Sequence, residues 1–137
     1  RNFFDKEGKL RSRPQNTSSF FTQGITWSDL TTGLFAPRYL PPDSTFDATG
    51  PTIPFSNSVG LWLLLGYFSS KPFQLLLNIT CPGLHYNNGV ITGLPVITVE
   101  ANLITIISEY SENNVKIAQT DWDSFETSWD FMRHPMQ

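Results

Sequence analysis

The chain has 137 residues, 39% of them hydrophobic, and a formal net charge of −3, enough for one compact core and too little for two large domains. That charge argues against a stand-alone nucleic-acid binder, which neutralises phosphates with an excess of Lys and Arg. A single cysteine, Cys81, excludes an internal disulfide framework and a cysteine-based zinc site; it agrees with a reducing cytoplasm and reads as a small buried hydrophobe.

The chain opens on Arg1 with no succession of basic, apolar and small residues, so we read no secretory signal and expect a piece of a longer protein. Residues 1–13 carry five basic and two acidic side chains, whereas the stretch from Glu100 onward carries seven acidic ones against Lys116 and Arg133. The two ends are therefore expected to face different neighbours. Residues 1–17 mix charge with Gly8 and Pro14 and lack an apolar period, which predicts a flexible basic arm.

Beyond Ser18, apolar clusters (Phe20, Ile25, Trp27, then Phe35, Tyr39, then Ile53, Phe55) are parted by Gly24, Gly33, Pro41-Pro42 and Gly50-Pro51. This spacing predicts short β-segments with tight turns. Pro37, Pro42, Pro51 and Pro54 remove ladder donors, so these strands are expected to be irregular or at sheet edges. Residues 57–68 are apolar on nearly every side and predict a buried helix, capped by Ser56 or Ser58. Ser69-Ser70-Lys71-Pro72 breaks the run, and a second helix is predicted from Phe73 through Ile79, ended by Pro82-Gly83. A membrane span needs about 20 uninterrupted apolar residues, and this break excludes one.

Asn87-Asn88-Gly89 is a turn signal, predicting extended pieces at 84–86 and 90–92, and Leu94-Pro95-Val96-Ile97 leads into another. Residues 102–119 predict a helix with one apolar face. A short final helix is expected from Thr120, with Asp123 completing a capping box and Trp122, Phe125 and Trp129 forming one aromatic stripe. The expected fold is a small α+β domain: short irregular strands packed on a central buried helix pair, followed by C-terminal helices. Its parts are the arm at 1–17, the domain at 18–119, and an acidic-aromatic helix and tail at 120–137.

Catalytic motifs are absent. There is no glycine-rich nucleotide loop and no G-x-S-x-G elbow. His85 and His134 lie far apart, and a metal site built from them with Asp43 or Asp47 has no recognised ligand spacing. Asp5, Glu7 and Lys9 imitate nuclease elements but sit in the arm. What remains suits binding: Trp27, Tyr39 and Tyr86 with Arg38, Lys71, Asn87, Asn88 and many hydroxyls. Asn and Arg read base edges bidentately, and aromatic rings stack on or wedge at bases. The competing readings are core packing for the rings, an exposed cation for Arg38 and plain turn chemistry for Asn87-Asn88.

Several phrases resemble a known family. Gly24-Ile25-Thr26-Trp27-Ser28, Phe35 with Arg38-Tyr39, and Phe46-Asp47 with Gly50 look like the start of the target-recognition region of BREX-type (PglX-like) adenine-specific DNA methyltransferases. The stretch from Leu64 to Lys71, Leu84-His85-Tyr86, and the run from Gly89 to Val96 resemble the segments that follow. The most specific likeness is the run from Asp121 to Phe131, with Arg133-His134-Pro135 after it.

This resemblance implies a bacterial restriction-modification or phage-defence enzyme that transfers a methyl group from S-adenosylmethionine to adenine. Such chemistry uses an Asn/Asp-Pro-Pro-aromatic tetrapeptide and a glycine-rich cofactor motif, and this sequence has neither. Pro41-Pro42 lies between Leu40 and Asp43. The segment is therefore expected to be catalytically inert, with the cofactor held by the rest of the enzyme. It is expected to hold double-stranded DNA while adenine is rotated out of the duplex, through Thr26, Trp27, Ser28, Arg38, Tyr39, Lys71, Asn87 and Asn88. The acidic C-terminal phrase repels phosphate and is expected to pack on the remainder of the methyltransferase chain or on this domain's own core. Two alternatives compete with DNA reading. One is a docking module for other defence-system proteins, marked by an exposed aromatic stripe and no basic cleft. The other is an enzyme with a site built from His85 and Asp47.

Overall fold

The computed structural model describes Phe4, Glu7, Gly8 and residues 16–136, so the expected arm over 1–17 lies almost wholly outside the described residues. After a short 3-10 turn at Thr17–Ser19, the described residues form three strands, β1 (Gly24–Thr26), β2 (Arg38–Leu40) and β3 (Thr52–Pro54). They make one antiparallel sheet in the order β2-β1-β3. Proline explains both the order and the brevity: Pro37 precedes β2, while Pro51 precedes β3 and Pro54 closes it. A residue without an N–H suits an edge, and only the proline-free β1 is paired on both sides.

The register places Ile25 between Tyr39 and Ile53, and Thr26 between Arg38 and Thr52. Because side chains alternate across a strand, Ile25, Tyr39 and Ile53 join the core while Thr26, Arg38 and Thr52 share the other face. Gly24 is required by close approach, since a Cβ there would lie 2.7 Å from the Ile53 carbonyl oxygen.

The predicted helix pair is α1 (Ser58–Phe68) and α2 (Lys71–Thr80). Neither Ser56 nor Ser58 caps α1; Asn57 does, its side chain accepting from the Val59 amide at 2.9 Å. The break between the helices is Ser69-Ser70 alone. Ser70 caps α2 by accepting from Phe73 N, and Lys71 and Pro72 enter its first turn, where proline's missing donor costs nothing.

The predicted hairpin at 84–92 does not form. Asn87 accepts from Val90 N at 3.1 Å and caps a short helix, α3 (Asn88–Thr92). The tight hairpin turns favoured by Asn-Gly need positive φ, and neither Asn88 nor Gly89 has it. Asn is as strong a helix cap as a turn residue, and burial of Ile91 in the core favours the helix. The stretch expected to be extended at 94–97 runs without a strand partner.

The last helix, α4 (Ala101–Trp122), outruns its predicted bounds and absorbs Thr120, whose hydroxyl donates to the Lys116 carbonyl at 2.8 Å. That bond lies within the helix, so Thr120 caps nothing and the separate final helix is replaced by successive turns after Trp122. These are closed by Phe125 N to Trp122 O and Ser128 N to Phe125 O.

Ile25, Trp27, Leu61, Phe73 and Leu77 are fully buried. Trp27 Nε1 donates to the Tyr86 carbonyl at 2.6 Å, tying the strand region to the segment before α3. Phe35 sits among the rings of Trp27, Phe68, Phe73 and Tyr86 with centroids 5.4–6.1 Å away. Cys81 is only half-buried, its Sγ donating to the His85 carbonyl.

Helix α4 packs on α1 where Gly66 leaves room. A Cβ at Gly66 would run into Ser111 Oγ and approach Ile107 Cγ2 to 3.0 Å. Gly66→Val is therefore expected to push the helices apart and destabilise the fold by about 1–3 kcal/mol, the usual cost of overpacking. Urea unfolding measures it, and adding Ser111→Gly to Gly66→Ala should recover part of the smaller loss.

Candidate functional site

Of the eight residues expected to touch DNA, the fold brings three together. Thr26 and Arg38 are cross-strand partners on the sheet face opposite the Ile25 side chain, and Arg38 Nη2 donates to Ser28 Oγ at 3.2 Å. Arg38 is exposed; Thr26 is anchored by its hydroxyl, which donates to the Pro51 carbonyl.

Trp27 is a correction. It is 0% exposed, its N–H is taken by Tyr86, and it cannot stack on a base. Alternation along the chain sends Ile25 and Trp27 inward together, so the core-packing reading applies to this ring. Asn87 is a second correction, because its side-chain oxygen is committed to capping α3, which prevents a bidentate base contact.

Tyr39 is half-buried, with its ring against Trp62 at 4.9 Å and 34°. Burial first, then the carboxylates of Asp43 and Glu112, raise its pKa above the ordinary 10.0, so the phenol keeps its proton at neutral pH. Lys71 is exposed as the first residue of α2. There the helix's own dipole disfavours a cation, and a nearby phosphate would remove that conflict. Asn88 is exposed at the first turn of α3.

Arg38 and Tyr39 also form one wall of a groove of about 870 Å³, whose other wall is α4 through Tyr110, Asn114 and Trp122. The sequence does not reveal this wall, because residues more than 70 positions apart by numbering meet only once α4 lies on α1. One cation, three rings and the amides of Asn114 and Gln119 give the groove stacking surfaces and hydrogen-bonding edges.

The alternative site built from His85 and Asp47 is not assembled. His85 Nδ1 lies 3.2 Å from Asp29 Oδ2, while Asp47 closes its own turn by accepting from Thr49 N, Thr49 Oγ1 and Gly50 N. Among the described residues no three His, Cys, Asp or Glu side chains gather as a metal site. The bond from the Thr49 hydroxyl, then those from the Gly50 and Thr49 amides, lower the pKa of Asp47 below the ordinary 3.8. A depressed carboxyl pKa stabilises the fold above the unfolded-state value, and that contribution disappears as pH falls through the folded value. Asp47→Ala is thus expected to be less stable than the parent at neutral pH, with the gap closing below pH 3.8; thermal unfolding across pH reads the convergence.

The C-terminal aromatic stripe is open to solvent: Trp122 is 59%, Phe125 53% and Trp129 102% exposed. Packing on this domain's own core is thereby overturned. No helix of the described residues is long and apolar enough to cross a membrane.

No protein-family model matches the chain. It is 28% identical over 130 residues to the adenine-specific methyltransferase PglX of Lacticaseibacillus casei (strain Zhang), covering 95% of this chain and 11% of that protein. The chain matches one segment of the adenine-specific methyltransferases. A second relative, the adenine-specific methyltransferase BrxX of Escherichia coli O9:H4 (strain HS), is 26% identical over 130 residues, 93% of this chain and 10% of that protein. The chain thus spans about a tenth of the length of these methyltransferases, and the expected likeness to PglX-like adenine-specific methyltransferases is found.

S-adenosylmethionine, the methyl donor such methyltransferases imply, does not fit the groove beside α1 and α2 or the groove at Arg38. The groove beside α1 and α2 is walled mainly by Leu63, Leu64, Leu76, Val96 and Ile97; its hydroxyls are engaged elsewhere, Tyr67 OH with the Pro95 carbonyl and Ser70 Oγ with the Phe73 amide, and its described lining holds no charged side chain to meet a charged amino-acid group. The groove at Arg38 has no carboxylate in its lining. No chemical step is assigned to the cofactor here.

Proposed function

We propose that this chain is the target-recognition segment of a cytoplasmic, S-adenosylmethionine-dependent adenine-specific DNA methyltransferase, holding double-stranded DNA beside the base to be flipped and methylated. The observation that carries the reading is the match along nearly the whole chain to two adenine-specific methyltransferases. The cluster of exposed Arg38 with half-buried Thr26 and Ser28, and Lys71 and Asn88 as further donors, supports it: hydroxyls and cations position phosphates while Arg and Asn read base edges. Tyr39 contributes through the groove it shares with Arg38. Cofactor binding and methyl transfer belong, in this reading, to the rest of the enzyme.

The test compares the full-length methyltransferase with its Arg38→Ala and Asn88→Ala variants, measuring DNA affinity across salt concentrations and the sequence preference of methylation. A phosphate contact predicts a salt slope smaller by about one on loss of Arg38, and a base contact predicts relaxed preference worth about 1–3 kcal/mol. Unchanged slope and preference in both variants would sink direct reading by these side chains.

A second reading is favoured by one observation, the solvent-exposed stripe of Trp122, Phe125 and Trp129. Large apolar surface rimmed by polar groups marks an interaction site, and here Asp121, Asp123, Glu126 and Asp130 are interleaved with the rings. In this reading the segment docks on the remainder of the methyltransferase or on another defence protein without reading DNA. Truncating the stripe in the full-length enzyme separates the two: docking predicts loss of assembly at unchanged sequence preference.

A further inference from the structure

Helix α4 is mounted with its small side chains inward. Ser108 and Ser111 are its buried residues; Ser111 meets Gly66 of α1, and the Ser108 hydroxyl donates to the Val59 carbonyl. Ile107 and Val115 pack inward beside them, whereas Leu103, Ile106 and Ile117 are 43%, 45% and 66% exposed and Tyr110, at the lip of the Arg38 groove, is 68% exposed. Those four fall at steps of three, four and seven, the spacing of a seam between paired helices. At 1.5 Å per residue the seam runs for roughly 20 Å, long enough to seat a helix of several turns. An amphipathic helix normally turns such a stripe toward a core, and α4 reserves it.

We infer that the outward face of α4 is a docking seam for an amphipathic helix from the part of the methyltransferase polypeptide that lies outside this segment. The inference rests on reading the chain as one segment of a longer enzyme and is independent of whether that segment reads DNA. Two observations select the occupant. The relatives place about nine-tenths of their length outside the matched segment, so the chain that could cover the seam is abundant. The seam's surroundings are acidic: α4 carries Glu109 and Asp121, while its one cation, Lys116, is already held by Glu112 at 2.7 Å. A second copy of α4 would bring carboxylates against carboxylates. A helix with Lys or Arg beside its apolar stripe complements both the shape and the charge.

The experiment uses the full-length enzyme without DNA and follows alkylation of single introduced thiols at Ile106→Cys, Tyr110→Cys and Thr105→Cys, resolved by peptide mass spectrometry. Thr105 is exposed, lies off the apolar stripe and serves as the open position. Alkylation at 106 and 110 is expected to be at least about tenfold slower than at 105, as for any site shielded by a packed element. A carboxyl-to-amine cross-linker is expected to join Glu109 or Asp121 to a lysine outside the segment. Equal rates at the three positions would overturn the seam. So would equal protection at 105, which would mean that a broad surface covers the helix, and so would protection that rises with protein concentration, which would identify a second copy. Amide exchange along α4 in the unsubstituted enzyme keeps the result independent of the variants. Because no DNA is present, failure here is distinguishable from failure of the DNA-reading proposal, which is read by methylation preference.

Discussion

Trp27→Ala is expected to destabilise the chain by about 3–5 kcal/mol, the usual cost of truncating a buried aromatic to alanine. The side chain is fully buried, packs against Phe35 and Phe68, and holds the Tyr86 carbonyl through its indole N–H. Small domains are stable by only about 5–15 kcal/mol, so the variant should lose between about a fifth and the whole of that margin. Trp27→Phe separates the contributions: it keeps much of the volume but leaves the Tyr86 carbonyl without its donor, which costs about 1–3 kcal/mol when that group stays buried. Urea unfolding followed by circular dichroism measures both. A Trp27→Ala chain with parental stability would mean that the ring is not part of the core, and would reopen its role at the surface.

Phe73→Ala should be comparably severe, about 3–5 kcal/mol, for a different reason. Phe73 opens α2, is fully buried, and lies against three rings: stacked on Phe68 at 4.5 Å, edge-on to Tyr67 at 5.1 Å and tilted to Phe35 at 5.7 Å. Its removal leaves a void at the junction of both central helices and the connection between β1 and β2, and aromatic pairs contribute beyond the area they bury. Since Phe73 N also donates to the capping Ser70, the variant tests packing while the cap remains available. Phe73→Leu, which fills more of the void, should be milder in the same measurement.

The α+β class, the buried helix pair and the short strands were legible because each rests on a local signal: proline and glycine punctuation for the strands, an apolar run broken at Ser69-Ser70 for the helices. The failures lie where one local signal serves two structures. Asn87-Asn88-Gly89 suits a turn or a helix start, and only the burial of Ile91 decides between them. Thr120 with Asp123 imitates a capping box, yet α4 continues through it because nothing before Thr120 breaks the helix. Trp27 was ambiguous for the same reason, as a tryptophan beside Thr26 and Ser28 can face either way until the register of β1 is known. The groove between Arg38 and α4 was invisible, since it depends on Gly66 admitting Ser111 from a distant part of the chain.

The proline pattern of the sheet has a consequence for behaviour at high concentration. Open strand edges invite another chain to add its own strand, and proteins suppress such polymerisation with short edges, charges and prolines. Here both outer strands are three residues long; β2 follows Pro37 and begins with the charge of Arg38, and β3 ends in Pro54, which has no N–H to offer. A polypeptide that leaves so many aromatic and aliphatic side chains open for partners thus carries a sheet poorly suited to template aggregation, confining its adhesiveness to side chains that can discriminate between partners.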